Sequence, residues 1–126
     1  MKLSAIALDY DGTIAFHDQL EPSVRDAIAA VRARGIAVLI VTGRTLGELE
    51  RVAGSLHFVD VVVAENGALL HFPAQERSSL LAPEVPEAFL LELRRRNVPF
   101  MAGRCLVDLD AKLADLMPEL KYDNPW

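Results

Sequence analysis

The sequence LDYDGT, residues 8–13, ends the first apolar run of the chain, which covers residues 3–8. A short, nearly continuous apolar run that stops at an acidic residue is typical of a strand buried on both faces of a parallel sheet. We expect Asp9 as the first residue past this strand, with Asp11 and Gly12 in the turn that follows. Ligands of open α/β sheets bind beyond the carboxyl ends of the strands, so the two acids indicate a candidate site.

Helix and strand patterns alternate downstream of this stretch. Apolar spacing predicts a helix over residues 21–35, a second buried strand over 36–41, a second helix over 45–54 and a third strand over 59–64. The second helix begins with capping-box spacing at Thr45. This alternation favours an α/β fold, with a parallel sheet and helices flanking it.

The pattern changes after the third strand. The pair Asn66-Gly67 lies between two apolar runs and predicts a β-hairpin with a two-residue turn. The remaining predictions are a linker over residues 73–84, a helix over 86–96, a strand within 98–109 and no regular structure at the end of the chain.

The amino-acid composition argues against several classes of function. The chain has 126 residues, and 13 basic against 18 acidic side chains give a net charge of −5, which argues against a nucleic-acid partner. Its single cysteine, Cys105, cannot form an intrachain disulfide. Its apolar runs are too short to span a membrane, and the first stops at Asp9 without a signal-peptide cleavage pattern. We therefore expect a cytoplasmic protein with no membrane partner.

Asp9 and Asp11 have the chemistry of an acid–base or metal site. Two nearby carboxylates drive their pKa values apart, so that one stays ionised while the other carries a proton. An ionised carboxylate is also a hard oxygen ligand for Mg²⁺. The alternative is that both acids, with Gly12, only form a turn.

The second predicted strand ends in Thr42-Gly43-Arg44. A hydroxyl, a glycine N–H and a guanidinium at one strand end are suited to holding a phosphate group. The alternative is a strand-to-helix turn with a surface arginine. Parallel neighbouring strands end at the same edge, so we expect these groups to face the acids of the first strand.

Residues 8–13 together with 41–44 resemble the first two motifs of the haloacid dehalogenase superfamily, where an apolar strand is followed by Asp-x-Asp-Gly-Thr. The segment Ala64-Glu65-Asn66-Gly67-Ala68 is similar to the Cof-type subgroup of sugar-phosphate phosphatases. The resemblance implies the N-terminal part of a Rossmann-like core domain over residues 1–78, the start of an α+β cap module over 79–117, and a tail over 118–126.

The resemblance also implies hydrolysis of a phosphate monoester, either a sugar phosphate or a similar small ester. Asp9 would be the nucleophile and Asp11 the general acid and base, with both contributing to a Mg²⁺ site. The expected phosphate-binding residues are Gly12, Thr42, Gly43 and Arg44.

Two further motifs of the superfamily are not found in their usual setting: a charge-offsetting Lys or Arg, and an acidic pair that completes the Mg²⁺ shell. Asp108, Asp110 and Lys112 could substitute for them, although a capped helix start at Asp110 explains the same residues. We expect a fragment or shortened product that ends inside the cap and has an incomplete core. The uncovered sheet edge then predicts a homo-oligomer.

Two other functions remain open at this stage. One is a catalytically weak or inactive protein that still binds phosphate, Mg²⁺ or a partner. The other is a phospho-acceptor receiver, which also places an acidic pair beyond its first strand. A receiver needs an aspartate at the end of the third strand, where this chain has Ala64-Glu65-Asn66.

Overall fold

The computed structural model describes residues 2–110 and 112. Its main feature is a five-stranded sheet in the order β1-β2-β3-β4-β5, accompanied by three helices and a small two-stranded sheet. The strands of the large sheet are β1 (Ala5–Asp9), β2 (Ala37–Val41), β3 (Val61–Ala64), β4 (Leu69–Phe72) and β5 (Arg77–Leu80). The helices are α1 (Pro22–Ala33), α2 (Leu46–Ala53) and α3 (Glu87–Arg95), and the small sheet consists of β6 (Met101–Ala102) and β7 (Val107–Asp108).

The first three strands run parallel, which confirms the α/β fold predicted from the sequence. In this register Asp9 lies opposite Val41, and Val41 lies opposite Val63. The carboxyl ends of β1, β2 and β3 therefore meet at one edge of the sheet. Asp9 is the last residue of β1 rather than the first residue past it, because its backbone is still paired with β2.

Local sequence signals determine where the first two helices begin. Pro22 occupies the first turn of α1, where its missing N–H leaves no hydrogen bond unmade. In α2, the Thr45 hydroxyl accepts from the Glu48 N–H at 3.2 Å and the Glu48 carboxylate accepts from the Thr45 N–H at 2.8 Å. This capping box fixes the backbone conformation where α2 begins, a few residues after the end of β2. Among the residues described, no helix is long and apolar enough to cross a lipid bilayer.

The predicted hairpin is present, but its loop is longer than expected. Ala64 pairs with Leu69, so four residues, 65–68, connect β3 to β4 instead of two. Both Glu65 and Asn66 have positive φ angles, 52° and 57°, within a short 3₁₀ turn. The pair Asn66-Gly67 correctly predicted a reversal, whereas the helical turn at Glu65 changed the length of the loop.

The segment predicted as a linker contains β5, which pairs antiparallel with β4 through contacts such as Leu69 with Leu80. This strand extends the large sheet across the expected boundary between residues 78 and 79. The predicted strand within 98–109 is instead two short strands, β6 and β7, which form their own antiparallel pair. The predicted tail, residues 118–126, lies outside the described residues.

The core lies between the large sheet and its helices. Ile40, Leu49, Val62 and Leu69 are at most 1% exposed, and they come from β2, α2, β3 and β4. Tyr10 is also fully buried, although it lies between the two site acids in the sequence. The loop that carries Asp11 is thus attached to the apolar core.

The outer edge of β1 is exposed in the part of the chain that the structure describes. Within the sheet β1 pairs only with β2, and its exposed residues include Ala5 and Ala7. An apolar edge strand presents unpaired N–H and C=O groups that can pair with another chain. Association through β1 is therefore expected at high protein concentration.

Ala7→Lys places a charge on this edge and should reduce such association, as measured by sedimentation at increasing concentration. Ser79→Lys, at an exposed position of the opposite edge strand β5, is the matched control and should leave it unchanged. A wild-type chain that stays monomeric at every concentration would contradict association through β1.

Asp60 joins β2 to α1. Its carboxylate accepts from the Val38 N–H at 2.8 Å and from the Arg32 guanidinium at 3.0 Å. Burial alone would raise the pKa of Asp60, but these two hydrogen bonds outweigh it and lower the pKa.

Asp60→Asn should therefore reduce the free energy of unfolding at pH 7 by about 1 kcal/mol, a value limited by partial exposure to solvent. Because the folded-state pKa lies below the unfolded value of about 3.9, the contribution is present above that pH and lost as the pH falls through the folded pKa. Urea unfolding at pH 7 and pH 3 should thus show a larger difference between the variant and wild type at pH 7 than at pH 3. Asp26→Asn, at an exposed position of α1, is the control. An equal loss at both pH values would disprove the linkage.

Candidate active site

The candidate site lies at the carboxyl edge of β1 and β2. Asp9 ends β1 with an exposed side chain, and Asp11 follows two residues later. Thr42, Gly43 and Arg44 follow β2 directly. The parallel register of the two strands therefore brings both groups of predicted site residues to the same edge, as the sequence predicted.

A tight turn holds the Asp11 loop against the end of β1. The Gly12 N–H donates to the Ala15 carbonyl at 2.8 Å, and the Ala15 N–H donates back to the Tyr10 carbonyl at 3.0 Å. Gly12 has a φ of 74°, a left-handed conformation that a residue with a Cβ adopts only at a cost. A Cβ at this position would contact nothing within 4 Å, so backbone conformation is what requires glycine here. The buried Tyr10 ring anchors the turn, and its hydroxyl donates to the Asp18 carbonyl at 3.2 Å.

Hydrogen bonds fix the Thr42 backbone to β3 and to the loop that follows β3. It is 4% exposed, its N–H donates to the Val63 carbonyl at 2.9 Å, and its carbonyl accepts from the Asn66 N–H at 3.3 Å. Its hydroxyl oxygen accepts from the Arg44 N–H at 3.1 Å. A hydroxyl group that accepts one hydrogen bond still has its own proton to donate, so Thr42 can donate to an anion at this edge.

Gly43 is closely approached by the β3–β4 loop. A Cβ on this residue would lie 2.7 Å from Asn66 Oδ1, closer than such atoms pack. The absence of a side chain therefore lets Asn66 lie against the backbone that follows β2. The loop after β3 thus packs against the predicted phosphate-binding residues but contains none of them.

Arg44 is paired with two carboxylates. Its Nε and Nη2 atoms donate to the Asp11 carboxylate at 2.9 and 2.7 Å, and Nη2 also contacts Asp18. The hydrogen bonds from Arg44 lower the pKa of Asp11 against the opposing effect of burial. The same bonds raise the pKa of Arg44 above its usual range. This places the guanidinium beside Asp11, at the edge where the sequence predicted phosphate binding.

Asp18 was not among the predicted site residues. It lies in a turn in which both His17 and Asp18 have positive φ angles, and a bridge between Phe16 and Gln19 closes that turn. The only local signal is an aspartate in a polar stretch, which is common in turns. Its contact with Arg44 spans 26 residues of sequence, so no periodic pattern could have revealed it.

Glu65 is buried beside this site and was predicted only as part of a hairpin loop. It is 2% exposed, and its N–H donates to the Arg44 carbonyl at 3.0 Å. One carboxylate oxygen, Oε1, accepts from the backbone N–H groups of Cys105 and Leu106, each at 3.0 Å. Glu65 therefore connects the end of β2 to the turn between β6 and β7.

The acids at this edge meet the minimum requirement of a Mg²⁺ site. Mg²⁺ is usually held by one or two carboxylates, and waters and substrate phosphate complete its shell. Asp9 offers an exposed carboxylate and Asp11 a main-chain carbonyl, whereas both oxygens of the Asp11 carboxylate already accept hydrogen bonds from Arg44. Within residues 2–110 and 112, no group of three or more His, Cys, Asp or Glu side chains is arranged to hold a metal ion. Any Mg²⁺ bound here would therefore depend on water and phosphate oxygens as well.

Three curated proteins are similar in sequence to part of this chain. YxeH of Bacillus subtilis is 39% identical over 69 residues, which are 52% of this chain and 26% of that protein. The glucosyl-3-phosphoglycerate/mannosyl-3-phosphoglycerate phosphatase of Persephonella marina is 35% identical over 71 residues, 54% of this chain and 26% of that protein. The HMP-PP phosphatase of Cronobacter sakazakii is 31% identical over 87 residues, 67% of this chain and 32% of that protein.

Solved structures agree on the fold. A haloacid dehalogenase-like hydrolase of B. subtilis superposes with a TM-score of 0.58 at 23% identity, covering 78% of this chain and 35% of that chain. A protein of Thermoplasma acidophilum superposes with a TM-score of 0.66 at 16% identity, covering 94% of this chain and 56% of that chain.

The matched stretches are between 26% and 32% of the length of these three curated relatives. The chain therefore aligns with only part of each of these proteins. The sequence pattern of the haloacid dehalogenase-like hydrolases matches residues 6–103, which include both strand ends of the candidate site. The chain therefore belongs to the haloacid dehalogenase-like hydrolase family.

Proposed function

We propose that the chain carries the phosphoryl-transfer half of a phosphate monoester hydrolase that acts on a small phosphorylated substrate. The observation that carries this proposal is the parallel register of β1 and β2, which sets Asp9 and Asp11 beside residues 42–44. All three relatives have names that describe phosphatases. A sugar phosphate or a similar small ester is the proposed substrate.

In the proposed reaction the phosphoryl group binds at residues 42–44, where the Thr42 hydroxyl and the Gly43 N–H donate to its oxygens. A carboxylate oxygen of Asp9 attacks phosphorus, the bond to the ester oxygen breaks, and Asp11 gives that oxygen a proton. Asp11 then takes a proton from water, and the resulting hydroxide attacks phosphorus to release inorganic phosphate and free Asp9. Gly12 permits the sharp turn that brings Asp11 back to this edge.

Arg44 favours one of the two roles of Asp11. By lowering the pKa of Asp11, it keeps that carboxylate ionised, which suits the step in which Asp11 accepts a proton from water. Donation to the leaving group requires the protonated form, which this ion pair opposes. A phosphoryl group bound at residues 42–44 would compete for the same guanidinium and so release Asp11.

Mg²⁺, held by the Asp9 carboxylate and the Asp11 main-chain carbonyl, would offset the negative charge that an anionic nucleophile meets on an anionic ester. Asp9 suits this role because its side chain is exposed at the end of a paired strand.

The second candidate is binding of phosphate without turnover. It is favoured by the small number of acids at the site, since Asp9 and Asp11 would hold the metal without further carboxylates from the described residues. A metal site with few carboxylates would bind the ion less tightly, and the reaction would be slower.

Asp9→Asn tests the proposed nucleophile. The amide cannot form the phosphorylated intermediate, so hydrolysis of p-nitrophenyl phosphate with Mg²⁺ should fall roughly a thousandfold or more. Asp26→Asn, at an exposed position of α1, should keep the wild-type rate. Equal rates for wild type and Asp9→Asn would remove Asp9 from the nucleophile role. No turnover by wild type over a panel of esters, together with phosphate binding in calorimetry, would favour the second candidate.

Arg44→Met tests the electrostatic role of Arg44. Without the guanidinium, the pKa of Asp11 should rise toward its ordinary value of about 3.9. The change is measured by following the Asp11 carboxyl carbon in an NMR titration. Arg51→Met, at an exposed position in the last turn of α2, should leave that pKa unchanged. An Asp11 pKa that is the same in wild type and Arg44→Met would show that this ion pair does not persist in solution.

A further inference from the structure

The segment that follows β2 is hydrogen-bonded along one side to β3 and to the loop between β3 and β4. The Thr42 N–H donates to the Val63 carbonyl at 2.9 Å, and the Thr42 carbonyl accepts from the Asn66 N–H at 3.3 Å. The Glu65 N–H donates to the Arg44 carbonyl at 3.0 Å. Because β2 lies between β1 and β3 in the sheet, these hydrogen bonds lie on the side of the segment that faces away from β1.

The hydrogen bond from Asn66 determines where the Gly43 N–H points. A peptide bond is planar, and in its trans form the carbonyl oxygen and the N–H of that peptide point in opposite directions. None of the described peptide bonds is cis. Since the Thr42 carbonyl points toward Asn66, the Gly43 N–H of the same peptide points away from it, toward the side on which β1 ends at Asp9. This N–H is the one to which the proposed function assigns a phosphoryl oxygen.

Gly43 cannot fix this orientation by itself. Glycine has more accessible backbone conformations than any other residue, so residue 43 offers little resistance to rotation of the peptide before it. A larger residue is excluded here, because a Cβ would lie 2.7 Å from Asn66 Oδ1. The position that lets Asn66 approach therefore lacks a restraint of its own, and the hydrogen bond from the Asn66 N–H supplies one.

Asn66 presents this N–H from a left-handed backbone conformation. Its φ and ψ angles are 57° and 31°, and the preceding Glu65 also has a positive φ, 52°. Among residues with a Cβ, asparagine is one of the few that adopt this region readily. The residue is exposed, so burial in the core does not require an asparagine at this position. The backbone conformation does favour one.

We propose that Asn66 is a positioning residue, whose left-handed conformation directs its N–H to the Thr42 carbonyl and thereby turns the Gly43 N–H toward the phosphoryl group. The inference rests on the proposed function, because it requires the phosphoryl group to bind at residues 42–44. It adds a residue outside that segment on which the affinity for phosphate depends. Asn66 acts through the Thr42–Gly43 peptide and not by contact with the substrate.

Calorimetry with inorganic phosphate in the presence of Mg²⁺ tests this role in two variants of the same residue. Asn66→Ala removes the side chain and disfavours the left-handed conformation, so the affinity for phosphate should fall roughly fivefold. Asn66→Gly also removes the side chain but accepts a positive φ, so it should restore the affinity to near that of wild type. Asn97→Ala is the matched control, because Asn97 is exposed just after α3 and has a φ of 55°. It bears the same conformational cost and should bind phosphate as wild type does.

NMR of the wild-type chain provides a second measurement that does not depend on the folding of any variant. When inorganic phosphate is added, the Gly43 amide proton should shift to higher frequency, whereas that of Gly35, just before β2, should not move. Three results would overturn the proposal: equal affinities of wild type and Asn66→Ala, equal losses in Asn66→Ala and Asn66→Gly, or a Gly43 amide that does not respond to bound phosphate. A wild-type chain that fails to bind inorganic phosphate would overturn the proposed function, and this inference with it.

Discussion

The parallel pairing of β1 with β2 is the constraint on which the rest of the site depends. Asp9 and Thr42 lie far apart in sequence, and they meet only because Asp9 is in register with Val41. A shift of this register by one residue would turn the side chains of β1 to the opposite faces of the sheet. The capping box of α2 and the loop after β3 then fix the chain immediately behind that edge.

The charged groups at this edge fix the direction of side chains more than they contribute to the free energy of unfolding. Arg44 lies between Asp11 and Asp18, and the side chains of these two acids are 51% and 56% exposed. Exposed ion pairs contribute little to the free energy of unfolding, because water and salt screen them. The two-point contact of Arg44 with Asp11 does fix the direction of a carboxylate on a loop. The turn at Gly12 and the buried Tyr10 ring fix the base of the same loop.

Much of the fold could be predicted because its signals are local. The buried runs of β1 and β2, the capping box at Thr45 and the reversal at Asn66-Gly67 each occupy a few consecutive residues. The placement of Asp9 beside Thr42 followed from a general rule for parallel sheets. These signals carry no information about contacts between residues that are distant in sequence. The wrong predictions concern such contacts.

The features that were missed depend on contacts between distant residues or on conformations that the sequence disfavours. The strand β5 lies in a segment with few apolar residues, and its pairing with β4 stabilises it there. Glu65 adopts a positive φ that is uncommon for glutamate, and its carboxylate finds its partners about 40 residues away. Asp18 likewise became part of the site only through Arg44. A single sequence does not encode such partnerships in any periodic pattern.

Asp9, the last residue of β1, has an exposed side chain, whereas Tyr10, in the turn that follows, is fully buried. A single-residue insertion or deletion within residues 5–9 would exchange these environments, placing an ionised carboxylate in the hydrocarbon interior and an aromatic ring in water. Natural variants of this strand should therefore differ by substitution rather than by length, whereas the polar connection that follows can gain or lose residues at much smaller cost.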